Sequence, residues 1–579
     1  MCGIAGILLR PGEVADPAML GQFAMSLAHR GPDGSGTFEA PDVALVHTRL
    51  AIIDLATGGQ PLFEGPLTLI ANGEIYNFIE LKAALPGSYS THSDCEPPLK
   101  LFARASADYA TALRGMYAIA IHDRAFHTLT LSRDVFGIKP LYVARTQAGL
   151  AFASEPQALL DAGVPRELDR QKLHELLNLQ FYTGTQSIFS GIQRVAPGET
   201  LTIRAGEIAA RTRLAFPVPL AAPANEAEAL AGLDAVLENA VDLHQRSDVP
   251  YGMFLSGGID SAAILAMMAR LNSSPVLAYT AGFDEAGVAD ERDAAATTAK
   301  AVGARHERVE ITQKMVWEHL PEIVAAMDDP VADYAIIPSW FLARRARQDV
   351  KVILSGEGGD EMFAGYGRYR SASRLLFPKK MRTRGVFDGL DVLREPPTGW
   401  RDGIAAAEAA QAGGSRLQAA RMVDIADWLP HDLLLKLDRC LMAHAVEGRT
   451  PFIDKQVAAF AFSLPDRFLV RNGMGKYLLR QWLAKNLPEA QPFAKKQGFD
   501  VPVGAWIAAQ AKPLAELLVR QPIIAELAAP DRVAALLQNA GQKRASFAAW
   551  VLLFTALWHR RHVLNLAPAG DVFQTLRQT

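Results

Sequence analysis

Apolar positions change their spacing along the chain. From residue 1 to about residue 205 they fall in short runs: Val43–Val46, Leu67–Ala71, Tyr117–Ile121, Thr128–Ser132, Leu141–Val143 and Leu150–Ala153. Gly, Pro and Asn punctuate these runs densely, which predicts an α+β domain of layered, largely antiparallel sheets with a few helices. Pro197-Gly198-Glu199 and the run Leu201–Ile203 mark its last turn and strand. The stretch Phe216 to Asn225 holds three prolines and no apolar period, and it reads as a linker that we bound at residues 206–225. Beyond it Leu230, Leu233, Leu237 and Val241 recur at helical spacing, with Asn225 as their cap. Apolar runs then alternate with helical stretches: Tyr251–Leu255 before Ala262–Leu271, Val276–Thr280 before Asp290–Val302, then Val350–Leu354. That alternation predicts an α/β domain over residues 226–579, with a parallel sheet, helices on its faces and a mostly helical remainder.

Composition narrows the class. A chain of 579 residues exceeds one core, and ~150 residues per domain suggests two to four units. The formal charge of −3 is spread evenly, without a Lys/Arg run, so neither nucleic acid nor an anionic membrane is an expected partner. No run of ~18 apolar residues suggests a membrane span, and the N-terminus lacks the basic region of a signal peptide. Cys2, Cys95 and Cys440 are too scattered for a disulfide framework or a structural zinc site. A cytoplasmic location is expected.

Cys2 follows the initiator directly. Removal of Met1 would leave thiol and α-amine on one residue, and an amine of pKa ~7.7–8.0 can take the thiol proton. A buried free cysteine is more often an inert small hydrophobe, so the neighbours decide. Arg49 offers a guanidinium for a carboxylate; Asn72-Gly73-Glu74 offers an amide, an unhindered N–H and an acid; Asp94 offers a second acid. Singly each has a plainer reading, and Asn-Gly between two β-type runs is a hairpin-turn signal.

Together, MCGIAGI, HRGPDG (His29–Gly34), RLAIIDL (Arg49–Leu55), NGEIYN (Asn72–Asn77), SDCE (Ser93–Glu96), SRDVFGIKPLYV (Ser132–Val143) and FASE (Phe152–Glu155) resemble the class II glutamine amidotransferases. They are most similar to the N-terminal-nucleophile glutaminase domain of glutamine-hydrolysing asparagine synthetases, with an αββα fold. The resemblance implies Cys2 as nucleophile and Asn72 with Gly73 as oxyanion hole. It implies Arg49, Ile52, Ile53, Asn72, Gly73, Glu74 and Asp94 as glutamine-binding, and Arg30 on a loop closing over that substrate.

In the second half, Ser256-Gly257-Gly258-Ile259-Asp260-Ser261 joins a strand-like run to a helix-like one, which places backbone N–H groups at a helix N-terminus, a site suited to phosphate. Asp260 adds an acid for Mg²⁺. No GxxxxGK[ST] is present, which excludes the ordinary P-loop. Ser355 to Glu361, SGEGGDE, again follows an apolar run, and acids this close need a cation or a shared proton. Met267 and Met268 read as core filler.

SGGxDS resembles the PP-loop of ATP pyrophosphatases, and SGEGGDEMFAGYGRY resembles the asparagine synthetase catalytic domain. That resemblance implies ATP contacts at Leu255, Ser256, Gly257, Gly258, Asp260, Ser261, Ala281, Ser355 and Gly356. It implies Asp260 and Asp360 on Mg²⁺, Glu357 in acid/base chemistry, and Lys476 stabilising the adenylated intermediate. Leu437-Asp438-Arg439 and Glu447–Asp454 also resemble family segments. Gly448 departs from the usual spelling, and Asp328–Trp340 matches one bacterial branch. The implied activity is synthesis of asparagine from aspartate, ATP and glutamine, with ammonia passed between domains, in a homodimer. Three alternatives are a related enzyme amidating another carboxylate, a β-lactam-forming relative, against which Cys2 speaks, and a non-catalytic regulator.

Overall fold

The computed structural model describes residues 2–283, 291–374, 377–411, 414–494 and 501–578. The chain opens with two six-stranded antiparallel sheets. The first orders its strands β10 (Ile192–Arg194), β8 (Tyr142–Arg145), β9 (Gly149–Ala153), β1 (Gly3–Leu9), β3 (Val43–Arg49) and β2 (Gly34–Ala40). The second orders β12 (Glu207–Arg213), β11 (Glu199–Arg204), β7 (Thr128–Arg133), β6 (Gly115–Asp123), β5 (Leu67–Ile75) and β4 (Leu62–Glu64).

Side chains alternate across each strand, so the two faces of β1 feed two cores. Ile4 and Leu8 join Leu45, Ile70, Leu129 and Leu131 between the sheets. Ala5, Ile7 and Leu9 point outward, beneath Met19, Phe23 and Leu27 of the helix Pro17–Leu27. On the far side Ile119 and Ile121 of β6 pack against Leu99 and Phe102 of the helix Glu96–Ala105. The layers are therefore helix, sheet, sheet, helix. This explains why β1 is an unbroken apolar run although its sheet is antiparallel: both of its faces are covered. The sheet continues past the expected edge at residue 205, because β12 pairs along β11 from Glu207 to Arg213.

The second half is built on a parallel sheet ordered β15 (Arg305–Ile311), β14 (Leu277–Phe283), β13 (Tyr251–Phe254), β16 (Val352–Leu354) and β17 (Glu447–Arg449). The helix Glu226–His244 begins at Asn225, whose side chain accepts from Glu228 N. Met267 and Met268 are fully buried in the core under this sheet. Among the described residues no helix is long and apolar enough to cross a membrane.

Several histidines are sealed into these cores. Burial lowers His47 and His562 to about 3, and His244 and His431 to about 4. His244 also stacks across the two halves, its ring 4.0 Å from that of Tyr76. An unfolded histidine takes its proton near pH ~6.5, so the unfolded chain binds protons that the folded chain refuses. Stability from these groups is complete above pH ~6.5 and is lost as pH falls towards 4. The thermal midpoint should drop between pH 7.5 and 5, and His562→Gln should make the drop shallower; an unchanged slope would remove His562 from this account.

Candidate active site

Cys2 stands at the start of β1, almost fully buried. Its backbone N–H donates to Asn72 Oδ1 at 3.1 Å, and its carbonyl accepts from Arg30 Nε at 3.0 Å. Asn72 and Gly73 do not form a turn. They lie inside β5, paired with Ala118 and Tyr117 of β6, which corrects the hairpin reading. A Cβ at Gly73 would stand 2.1 Å from Met116 O, so the neighbouring strand forbids any side chain there. Asn72 is fully buried, and its Nδ2 has no hydrogen-bond partner. Buried amide donors are rarely left so, and this one sits beside the thiol-bearing residue, where an oxyanion would need it.

Burial pushes the Cys2 thiol up, and Glu447 and Glu74 push it further the same way. A resting thiolate is therefore disfavoured, and attack requires a base in contact with the thiol. Met1, whose removal would expose such an amine, lies outside the described residues.

Glu74 and Asp94 are both buried, and burial raises both carboxyls above their ordinary range. Asp94 Oδ2 accepts from Ile75 N at 2.8 Å. The second half of the chain reaches into this group: Arg449 of β17 approaches Glu74 at 3.3 Å and holds Glu447 at 2.5 Å. Arg49 ends β3 and donates to the carbonyls of Asp54 and Leu55. Ile52, buried, gives its carbonyl to Asp248 N, and Ile53 is half-buried beside it.

Arg30 differs from the expectation of a loop residue over the substrate. It is fully buried, with Nη1 2.6 Å from Glu155 and 2.8 Å from Asp438. Arg439 continues the cluster to Asp328 at 2.7 Å and Glu155 at 3.3 Å, and Lys139 stands 3.8 Å from Asp438. Burial alone would raise the Asp438 carboxyl, but Arg30 and Lys139 hold it below the usual carboxylate range.

The other site lies at the C-terminal edge of the parallel sheet, where open α/β sheets bind ligands. A cavity of about 850 Å³ opens between Ser256–Ser261 on one side and Asp333, Trp428, Leu433 and Leu437 on the other. Ser261 Oγ ties the turn together, accepting from Ser256 N and donating to the Ser256 and Gly258 carbonyls. The N–H of Gly257 already holds an anion, the Glu291 carboxylate, at 3.1 Å. Leu255 is buried behind the turn, and Ala281 lies in the cavity wall with Ser355 and Gly356.

Asp260 and Asp360 converge on Lys476, whose Nζ pairs with Asp260 and lies 2.6 Å from Asp360. Lys476 adopts left-handed backbone (φ 57°, ψ 34°) just before the helix Tyr477–Asn486, a conformation that costs a non-glycine residue roughly 1 kcal/mol. Glycines make room for the cluster: a Cβ at Gly365 would stand 1.7 Å from Asp360 Oδ1, and one at Gly359 2.6 Å from Asp260 Oδ1. Among the described residues no three side chains form a metal cluster. Two carboxylates suit Mg²⁺, which takes one or two protein oxygens and completes its shell with water and phosphate. Burial raises the Glu357 carboxyl, with Asp333, Asp360 and Asp260 adding to the effect against Lys436.

Sequence reasoning missed the charges between the halves. The strings that hold Asp438 and Arg449 resemble family segments but give no role, and nothing in the chain's local sequence pairs Arg30 with Asp438 or Arg449 with Glu74. Gly448, the unusual spelling, packs its Cα against Leu437 and Leu441, where a Cβ would be within 3.1–3.3 Å.

A strand headed by a cysteine in two stacked antiparallel sheets, joined to a parallel sheet with a Ser/Gly turn, is the architecture of a glutamine amidotransferase domain fused to a synthetase domain. The comparisons agree. A glutamine amidotransferase domain model matches residues 1–213, and an asparagine synthase model matches residues 232–560. The glutamine-hydrolysing asparagine synthetase 1 of Bacillus subtilis is 33% identical over 96% of both chains. Its synthetase 3 is 28% identical over 86% of this chain and 87% of its own. An amidase of Gibberella zeae, chry2, is 30% identical over 64% of this chain and 60% of its own. The chain belongs to the glutamine-hydrolysing asparagine synthetase family, whose members are carbon–nitrogen ligases.

Replacing Arg30 by Met would remove the cation nearest to both Asp438 and Glu155 and leave them to Arg439 and Lys139, at a cost of up to about 3–5 kcal/mol, that of a broken buried pair. Denaturant unfolding of Arg30→Met should show that loss; a variant as stable as the parent would show that the cluster is not needed for folding.

Proposed function

We propose that the chain makes asparagine from aspartate, ATP and glutamine. The observation that carries this reading is that one helix, Leu434–Met442, serves both sites. Its Asp438 holds Arg30, which holds the carbonyl of Cys2, and its Leu437 lines the nucleotide cavity. An enzyme that must pass ammonia between two reactions needs its two sites locked in register.

In the first reaction the α-amine of Cys2 takes the Sγ proton, and the thiolate attacks the side-chain carbonyl of glutamine. Asn72 Nδ2 and the Gly73 N–H receive the oxyanion. Ammonia leaves with the transferred proton, and water then hydrolyses the thioester to glutamate. Arg49, Glu74 and Asp94, with backbone around Ile52 and Ile53, hold the glutamine head group.

In the second reaction the β-carboxylate of aspartate attacks the α-phosphorus of ATP and displaces diphosphate. The turn Ser256–Ser261 cradles the phosphates, with Leu255 and Ala281 along the nucleotide and Ser355 and Gly356 closing the far wall. Asp260 and Asp360 would hold Mg²⁺, which supplies neutralising charge for the departing diphosphate. Lys476 adds its own positive charge on the same side. Ammonia attacks the acyl carbon of β-aspartyl-AMP, AMP leaves, and Glu357 takes the proton that the new amide gives up; its raised pKa suits that exchange. Three buried free thiols fit a reducing, cytoplasmic setting.

Kinship with an amidase favours one second reading, in which another carboxylate is the acceptor. AMP release measured across a panel of carboxylic acids decides: turnover of aspartate above all others is expected, and silence with aspartate overturns the assignment. Cys2→Ala should abolish synthesis from glutamine and leave synthesis from ammonium salts within a few-fold of the parent. Loss of both would mean that the two reactions are not separable.

A further inference from the structure

The nucleotide cavity is longer than its phosphate-binding turn requires. Besides Asp260, Asp360 and Glu357, its lining includes Asp333, Trp428, Leu433 and Leu437. Trp428 and Leu433 belong to a π-helical segment, Asp424–Leu433, and such wide turns recur at functional sites. The segment passes directly into the helix Leu434–Met442.

Lys436 lies between the cavity-lining residues Leu433 and Leu437 on this stretch. Its Nζ stands 2.6 Å from Asp333 Oδ2, and the side chain is only 5% exposed. An ammonium has three donors, and a buried one is costly unless they are used. Here one is engaged, with Asp333. Asp333 itself is 20% exposed at the wall, with Oδ1 accepting from Ala335 N at 3.0 Å. One turn back, Asp432 is fully buried and neither carboxylate oxygen has a hydrogen-bond partner. At the cavity wall, therefore, one accessible acid, Asp333, is backed by a buried cation with spare donors, close enough to act on the Glu357 carboxyl as well.

That pattern complements a zwitterion. We infer that Lys436 binds the α-carboxylate of the acceptor and Asp333 its α-ammonium, so that the pair selects an α-amino acid and aims its side-chain carboxylate at Asp260, Asp360 and Lys476. The inference rests on the reading of the chain as an aspartate-amidating synthetase and names the residues that choose the acceptor. A dicarboxylic acid without an ammonium leaves Lys436 alone to answer both Asp333 and the ligand's carboxylate, and an amine without the α-carboxylate leaves the spare donors of Lys436 unused. Sites built on such polar pairs reject the analogue that lacks a partner group.

The test is aspartate-dependent ATP–diphosphate exchange on the full chain, with glutamine hydrolysis measured alongside. Lys436→Met and Asp333→Asn should each raise the KM for aspartate by about 30-fold or more, the effect of leaving one member of a buried charge pair unmatched. The KM for ATP and the rate of glutamine hydrolysis should stay within about twofold of the parent, which also shows that the variants fold. Lys436→Arg should recover part of the lost affinity. The wild-type enzyme should turn over aspartate and refuse succinate, a result that depends on no variant. An unchanged KM for aspartate in both variants, equal losses in all three readouts, or use of succinate as readily as aspartate would overturn the subsite. Silence of the wild type towards aspartate would overturn the functional reading beneath it, which separates the two failures.

Discussion

Arg30 is shared between the two halves of the chain, and the relation between the two sites depends on that sharing. Its guanidinium holds the carbonyl of Cys2 with one nitrogen and reaches Glu155 and Asp438 with the others. Asp438 and Arg439 come from the synthetase half; Arg30, Lys139 and Glu155 come from the amidotransferase half. Water cannot replace a partner in so enclosed a cluster, so the halves must meet in one geometry for every charge to be answered. Further pairs across the boundary repeat the pattern: Arg194 with Asp329, Arg114 with Asp454, Arg449 with Glu74. The boundary behaves like the interior of a single domain, although the sheets on its two sides are of opposite kinds.

The same economy governs the cavity at the edge of the parallel sheet. Asp260 arrives at the head of one helix, Asp360 on a short helix after another strand, and Lys476 from far along the chain. Three charges converge where glycines leave space, and the left-handed backbone at Lys476 shows that the position is held against local preference. The lysine between them holds the two acids together.

Much of this was legible from the chain alone because its signals are local. The change from short β-type runs to strand–helix alternation marks two architectures, and SGGIDS, SGEGGDE and NGE are contiguous strings whose parts the fold brings together. Two kinds of feature escaped. The extent of β5 escaped: the apolar run ends at Ala71, yet pairing with Ala118 and Tyr117 carries the strand on through Asn72-Gly73; cross-strand partners are invisible in one strand's sequence. The ion cluster escaped because Arg30 and Asp438 are 408 residues apart, and neither family-like string that carries them shows that the fold sets one against the other. Lys436 was hidden for another reason: inside LLLKLDR it reads as the polar stripe of an amphipathic helix.

That helix has a consequence for how the family can vary. Lys436 and Asp438 are two positions apart, a rise of about 3 Å and a turn of about 200°. One pairs with Asp333 at the cavity wall and the other joins the cluster behind Cys2. A single residue gained or lost between them would rotate one relative to the other by about 100° and uncouple both contacts at once. Surface loops elsewhere can lengthen at small entropic cost. This one turn of helix cannot, so it acts as a reading frame in space: substitutions can retune either end, but the spacing between the ends is closed to insertion and deletion.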